Sequence, residues 1–179
     1  MREPDPPEAL IVDRQGKPII IKGVVGELTA AGGTGKTYFL EQLAYELARG
    51  LGLGPLRAAN DEGIEVLMLC GEDPQDEVER RLWAISEPKG EFPEKLHIAS
   101  TVGHLGPLMK LEDNNPTRAD AWYWLRETIK NHDGLELLII DPKSRFYGLT
   151  ENDNDHATQW IACLEALAEE FGITILFTH

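Results

Sequence analysis

One stretch constrains this chain more than any other. Ala30-Ala31-Gly32-Gly33-Thr34-Gly35-Lys36-Thr37 lies between a short β-rich run, Val24 to Thr29, and a segment whose apolar residues recur three and four apart. Apart from an alanine in place of the first glycine, it follows the pattern Gly-x-x-x-x-Gly-Lys-Ser/Thr of a phosphate-binding loop. Gly32, Gly33 and Gly35 let the backbone curl into a nest of inward-pointing N–H groups, and the helix that follows adds the positive end of its dipole. Ala31, Thr34 and Tyr38 complete the stretch whose main chain would cradle phosphates. Lys36 is placed to reach β- and γ-phosphates, and Thr37 to hold Mg²⁺ through its hydroxyl. The bland alternative is a flexible glycine turn with an exposed lysine; the strand before it and the helix after it weigh against that.

The rest of the chain alternates short apolar runs with helical-period stretches, which predicts an α/β fold with a mostly parallel sheet flanked by helices. A hairpin is expected within Ile11 to Ile21, and a helix over about Lys36 to Arg49 with Phe39, Leu40, Leu43, Leu47 and Ala48 inward and Gly50 as its cap. Ile64 to Cys70 reads as a strand, followed by a helix bearing Val78, Leu82 and Ile85, with Asp73 as N-cap and Pro74 in its first turn. Leu96 to Ala99 reads as another short strand. Thr101 to Asn115 shows no period and is expected as a long loop. Thr117 and Asp120 suggest a capping box for a helix bearing Trp122, Leu125 and Ile129. Leu135 to Ile140, apolar but for Glu136, reads as a strand covered on both faces, Asp155 to Glu170 as a helix closed by Gly172, and Ile173 to Phe177 as the last strand. At 179 residues this makes one domain over residues 8–179, preceded by a Pro-rich lead-in over residues 1–7 that is expected to be disordered.

Charge narrows the partners. Lys and Arg number 17 against 31 Asp and Glu, a net −14, so the body of the protein repels nucleic acid and anionic membrane unless a local basic loop overrides it. The apolar runs are too short to span a bilayer and the N-terminus has no hydrophobic signal core. Cys70 and Cys163 sit far apart in apolar settings, reading as buried reduced thiols of a cytoplasmic protein rather than a disulfide scaffold.

Asp141 ends the apolar strand, where a Walker B aspartate belongs and where parallel sheets place ligand groups. Glu72, two residues past the strand ending at Cys70, is on the same edge; it is either a carboxylate that orients an attacking water or a solvated loop acid. His179 follows the last strand and either meets the γ-phosphate or is simply a free polar residue. Lys143-Ser144-Arg145-Phe146 is a basic-aromatic patch on that edge, suited to single-stranded nucleic acid or a neighbouring subunit's nucleotide, or to pairing of Arg145 with a nearby acid. Gly50, Gly52 and Gly54 follow a helix rather than a strand and read as a plain loop; the histidines and cysteines show no metal-ligand spacing.

Taken together, the motifs resemble those of the RecA-like ATPases of the plasmid replicative helicase RepA type, the group labelled as an AAA domain of the RecA/RepA kind. The resemblance rests on Gly32 to Thr37 followed by Leu40-Glu41-Gln42-Leu43-Ala44, on Gly71-Glu72-Asp73-Pro74 with Arg81-Leu82, on Ile140 to Phe146, on Glu151-Asn152-Asp153 and on Phe177-Thr178-His179. It spans roughly residues 20–179 and implies a RecA-like P-loop core that binds and hydrolyses ATP with Mg²⁺ and acts on DNA in replication or recombination. By the same resemblance Lys36 and Thr37 hold phosphate and Mg²⁺, Glu72 activates water, Asp141 is the Walker B acid and His179 the sensor, with ATP between subunits of a hexamer or ring. Such domains continue into further strands and an arginine finger, so the expectation is a core truncated at its C-terminus, with an open sheet edge prone to self-association and the turnover of the isolated chain left open. Two other classes compete: a nucleotide-binding regulatory or assembly module without efficient hydrolysis, and a small-molecule kinase. The kinase lacks an obvious arginine-rich lid, and a GTPase lacks an Asn-Lys-x-Asp segment after Asp141.

Overall fold

The apolar runs build a parallel sheet. In the computed structural model, which describes residues 6–179, the elements are β1 (Ala9–Val12), β2 (Pro18–Ile21), β3 (Val25–Leu28), α1 (Lys36–Ala48), β4 (Arg57–Ala58), β5 (Glu65–Cys70), α2 (Gln75–Ser86), β6 (Leu96–Ser100), β7 (Met109–Glu112), β8 (Asn115–Arg118), α3 (Asp120–Lys130), β9 (Leu135–Asp141), α4 (Lys143–Tyr147), α5 (Asn154–Phe171) and β10 (Thr174–Thr178). The five-stranded sheet runs β3-β10-β9-β5-β6, every neighbouring pair parallel. It is the α/β architecture of a RecA-like P-loop core.

Strand β9 shows why the layers close as they do. Leu137, Leu138, Ile139 and Ile140 are all fully buried, and their side chains alternate across the sheet. Leu138 and Ile140 join the core of α3 and α5, with Trp122, Leu125, Trp160 and Leu164. Leu137 and Ile139 join the core of α1 and α2, with Leu40, Leu43, Val78 and Ile85. A run of four apolar residues in the middle of a strand is stable only where both faces are covered, as here. All five strands point the same way, so the segments following β3, β5, β9 and β10 emerge on one edge.

The expected hairpin forms as β1 and β2, and β4 extends it to a separate three-stranded antiparallel sheet whose Leu10 and Ile11 pack onto the α1 side. Other expectations are corrected. Phe39 is exposed rather than inward, and the long loop after β6 contains the antiparallel pair β7-β8. Neither Thr117 nor Asp73 caps a helix: Ala119 and Pro74 hold the N-cap positions of α3 and α2 without a side-chain hydrogen bond. Residues 1–5 of the expected lead-in lie outside the described residues, and Pro6 and Pro7 are exposed without regular structure. No helix among the described residues is long and apolar enough to cross a membrane. Cys70 and Cys163 are free and buried.

Candidate functional site

The loop leaving β3 turns on two glycines. Gly33 and Gly35 have φ of 74° and 86°, in the left-handed region that a side chain disfavours. Gly32 has no such φ, and a β-carbon built there would meet nothing within 4 Å, so the chain's own packing does not demand glycine at that position. Thr34 Oγ1 donates to Ala31 O at 2.8 Å, pinning the loop internally. Lys36, the first residue of α1, folds its ammonium back over the loop and donates to the carbonyls of Ala30 and, at 3.2 Å, Ala31.

Thr37 and Asp141 meet across 104 positions of sequence, with Thr37 Oγ1 donating to Asp141 Oδ2 at 2.6 Å. Thr178, at the end of β10, donates its hydroxyl to Asp141 Oδ1. Asp141 is only 4% exposed, so its carboxylate is aimed at these hydroxyls by strand pairing on both sides of β9. The donor set of Thr37 hydroxyl and Asp141 carboxylate is all hard oxygen, the chemistry Mg²⁺ takes together with phosphate oxygens. Among the described residues no group of three or more His, Cys, Asp or Glu could hold a metal ion, so a cation here would depend on those two residues and a phosphate ligand.

Gly71 N donates to Asp141 O at 2.7 Å, which ties the end of β5 to the end of β9 and puts Glu72 on the same edge. Glu72 itself turns toward Arg145 on α4: Nε lies 3.4 Å from Oε1, and both side chains are more than half exposed. They border a cleft of about 290 Å³ with Gly71, Thr101, Val102 and Leu105. His179 is held by its backbone, which donates to Leu28 O at 3.2 Å and accepts from Ala30 N at 3.3 Å. Its ring lies beside Glu27, Nδ1 to Oε1 3.1 Å, and not against Asp141.

A second wall stands opposite the loop. Gly35 to Tyr38 face Arg80, Arg81 and Ala84 of α2 across a cleft of about 390 Å³. Arg81 forks onto both oxygens of Asp73 at 2.7 and 2.9 Å, and its Nε reaches Glu77 at 2.8 Å. Hydrogen bonds from Arg80 and Arg81 hold the Glu77 carboxyl down at about 2. Burial pushes the Glu41 carboxyl up to about 7 and raises the Cys70 thiol as well. Glu41, Arg81 and Thr178 stand within the stretches that carry the family resemblance, but the sequence assigns none of them a role, and Arg81 gains one only once α2 is folded against α1. Thr178 is the nearest to a readable signal, as the hydroxyl that ends a strand on the loop edge.

A family model described as AAA domain matches residues 2–179. That span takes in the loop, Glu72, Asp141 and His179 together, in the parallel α/β frame already described. The chain therefore belongs to the AAA domain family, and is a P-loop ATPase domain.

Proposed function

We propose that this domain binds Mg·ATP at the loop and hydrolyses its γ-phosphate, and that it works on DNA, in replication or recombination, as an oligomeric motor in the cytoplasm. The observation that carries the ATP reading is the 2.6 Å contact between Thr37 and Asp141 beside Lys36, three groups gathered from two elements at the mouth of a glycine loop. Gly32 adds support, because its lack of a side chain serves approach from outside rather than internal packing.

In this reading the N–H groups of residues 31–38 and the start of α1 bind the phosphates. Lys36 exchanges the carbonyls of Ala30 and Ala31 for β- and γ-phosphate oxygens. Thr37 and Asp141 would hold Mg²⁺, which when bound supplies neutralising charge at those oxygens. Glu72, once turned from Arg145, accepts a proton from the attacking water on its carboxylate. The nucleoside extends into the cleft between Tyr38 and Arg80. His179 senses the γ-phosphate from the strand end beside Glu27, and Lys143 with Arg145 meets single-stranded DNA. The Glu72–Arg145 pair also favours a second reading, a nucleotide clamp that hydrolyses poorly because its base is engaged elsewhere.

Steady-state hydrolysis of Mg·ATP with and without single-stranded DNA, beside Lys36→Ala and Glu72→Gln, separates the two. A hydrolase loses about 100-fold or more in kcat on Glu72→Gln while keeping its affinity for a fluorescent ATP analogue, and Lys36→Ala loses both. Hydrolysis no greater than that of Lys36→Ala, with analogue binding intact, would leave the clamp.

A further inference from the structure

Arg81 is the centre of an ion-pair cluster that the phosphate loop does not itself require. Its guanidinium grips both oxygens of Asp73, donates to Glu77, and places Nη1 3.6 Å from Oε1 of Glu41. Asp73 is the residue after Glu72. Glu41 lies one helical turn past Thr37 on α1, fully buried, with neither oxygen hydrogen-bonded. An acid so placed is costly to bury, and Arg81 is the cation that faces it. One side chain on α2 thus touches both the helix that presents Thr37 and the junction that carries Glu72. A two-pronged planar fork sets angle as well as distance, which an ammonium cannot reproduce.

We propose that Arg81 is a positioning residue that fixes Glu72 relative to the phosphate end of α1 by clamping Asp73 while abutting Glu41. The proposal rests on the hydrolytic reading above. Although Arg81 stands in the α2 wall of the cleft, its guanidinium is committed to Asp73 and Glu77, so it acts through Glu72, shapes turnover and the order of the Gly71–Gln75 segment, and leaves the loop's grip on phosphate intact.

The test compares wild type, Arg81→Lys, Asp73→Asn and the double variant in three readouts: kcat and KM for Mg·ATP, thermal melting, and amide hydrogen exchange with a non-hydrolysable ATP analogue bound. Arg81→Lys is expected to cost about 10-fold or more in kcat with KM changed less than about 3-fold, since a misplacement of about 1 Å is enough for such a loss. The amides of residues 71–73 and 75 should exchange faster while residues 32–37 keep the protection the analogue gives them. Asp73→Asn should behave alike, and the double variant no worse than either single change. Unchanged kcat and unchanged protection in a folded Arg81→Lys protein would overturn the proposal. So would kcat, affinity and melting temperature falling together, the mark of a purely structural role. Wild type without hydrolysis but with the expected exchange pattern would remove the hydrolytic reading and leave the clamp of Arg81 on this segment standing.

Discussion

Glu41 is buried on α1 without a hydrogen bond to either oxygen, and burial lifts its carboxyl from an ordinary 4.5 to about 7. Between those two values the folded chain holds a proton that the unfolded chain has released. Stability linked to this group is therefore full below about pH 4.5, declines as pH rises toward 7, and stays at its lower level above that. Glutamine has nearly the same shape and no charge to desolvate. Glu41→Gln should match the wild type in urea unfolding near pH 5 and be the more stable protein near pH 8, the gap opening on the way. A gap that stays constant, or opens in favour of the wild type, would mean that Arg81 at 3.6 Å fully compensates the buried charge.

Helix α4 shows how an element with little of its own to hold it together is fixed from outside. It has five residues, too few to be stable alone, and it is docked by Leu108 N donating to Phe146 O at 2.8 Å. Gly148 ends it at φ 69°, and a β-carbon there would sit 2.0 Å from the carbonyl oxygen of Met109. Gly148→Ala should cost about 2–4 kcal/mol, from left-handed strain and forced separation of α4 from β7, and lower the melting temperature accordingly. Melting within a degree of wild type would show that β7 yields. Neither α4 nor β7-β8 could be read from the sequence. One turn of helix shows no period, and Lys110, Leu111 and Glu112 are all exposed, so β7 lacks the alternation of a half-buried strand. The hairpin turn at Asp113-Asn114, with φ of 50° and 61°, carries its signal without the glycine that usually announces it. Strands β5, β9 and β10 and helices α1, α3 and α5 were legible because their apolar spacing runs long enough to repeat. In the site, the loop was legible as a contiguous motif, and Asp141 as the polar end of an apolar run. Asp73 misleads by a local rule: next to Pro74 it reads as a helix cap, yet a guanidinium eight residues ahead captures both its oxygens.

For the molecule as a whole, a net charge of −14 sets the terms on which any DNA partner is met. Many of the arginines are already engaged: Arg80 and Arg81 by Glu77 and Asp73, Arg126 by Glu170, Arg49 by Glu46, and Arg145 by Glu72. Lys143 leans over the rings of Tyr147, Trp160 and Phe177 at the same edge as Asp141. The cationic footprint there is thus about two charges inside an acidic field. Counterion release for a single strand gives a slope of about −0.7 per phosphate neutralised, so log affinity against log salt should fall with a slope of only about −1 to −2. At physiological salt the isolated chain should bind oligo-dT more weakly than about 10 µM, and Arg145→Ala should flatten the slope by about 0.7. The same substitution frees Glu72 from its ion pair, so it distinguishes two uses of one residue. If Arg145 serves DNA, the variant shows that flattening and loses any stimulation of hydrolysis by DNA. If Arg145 serves only to hold Glu72, the slope is unchanged and hydrolysis without DNA rises. An affinity tighter than about 1 µM with a slope steeper than about −3 would require a basic footprint larger than this edge provides.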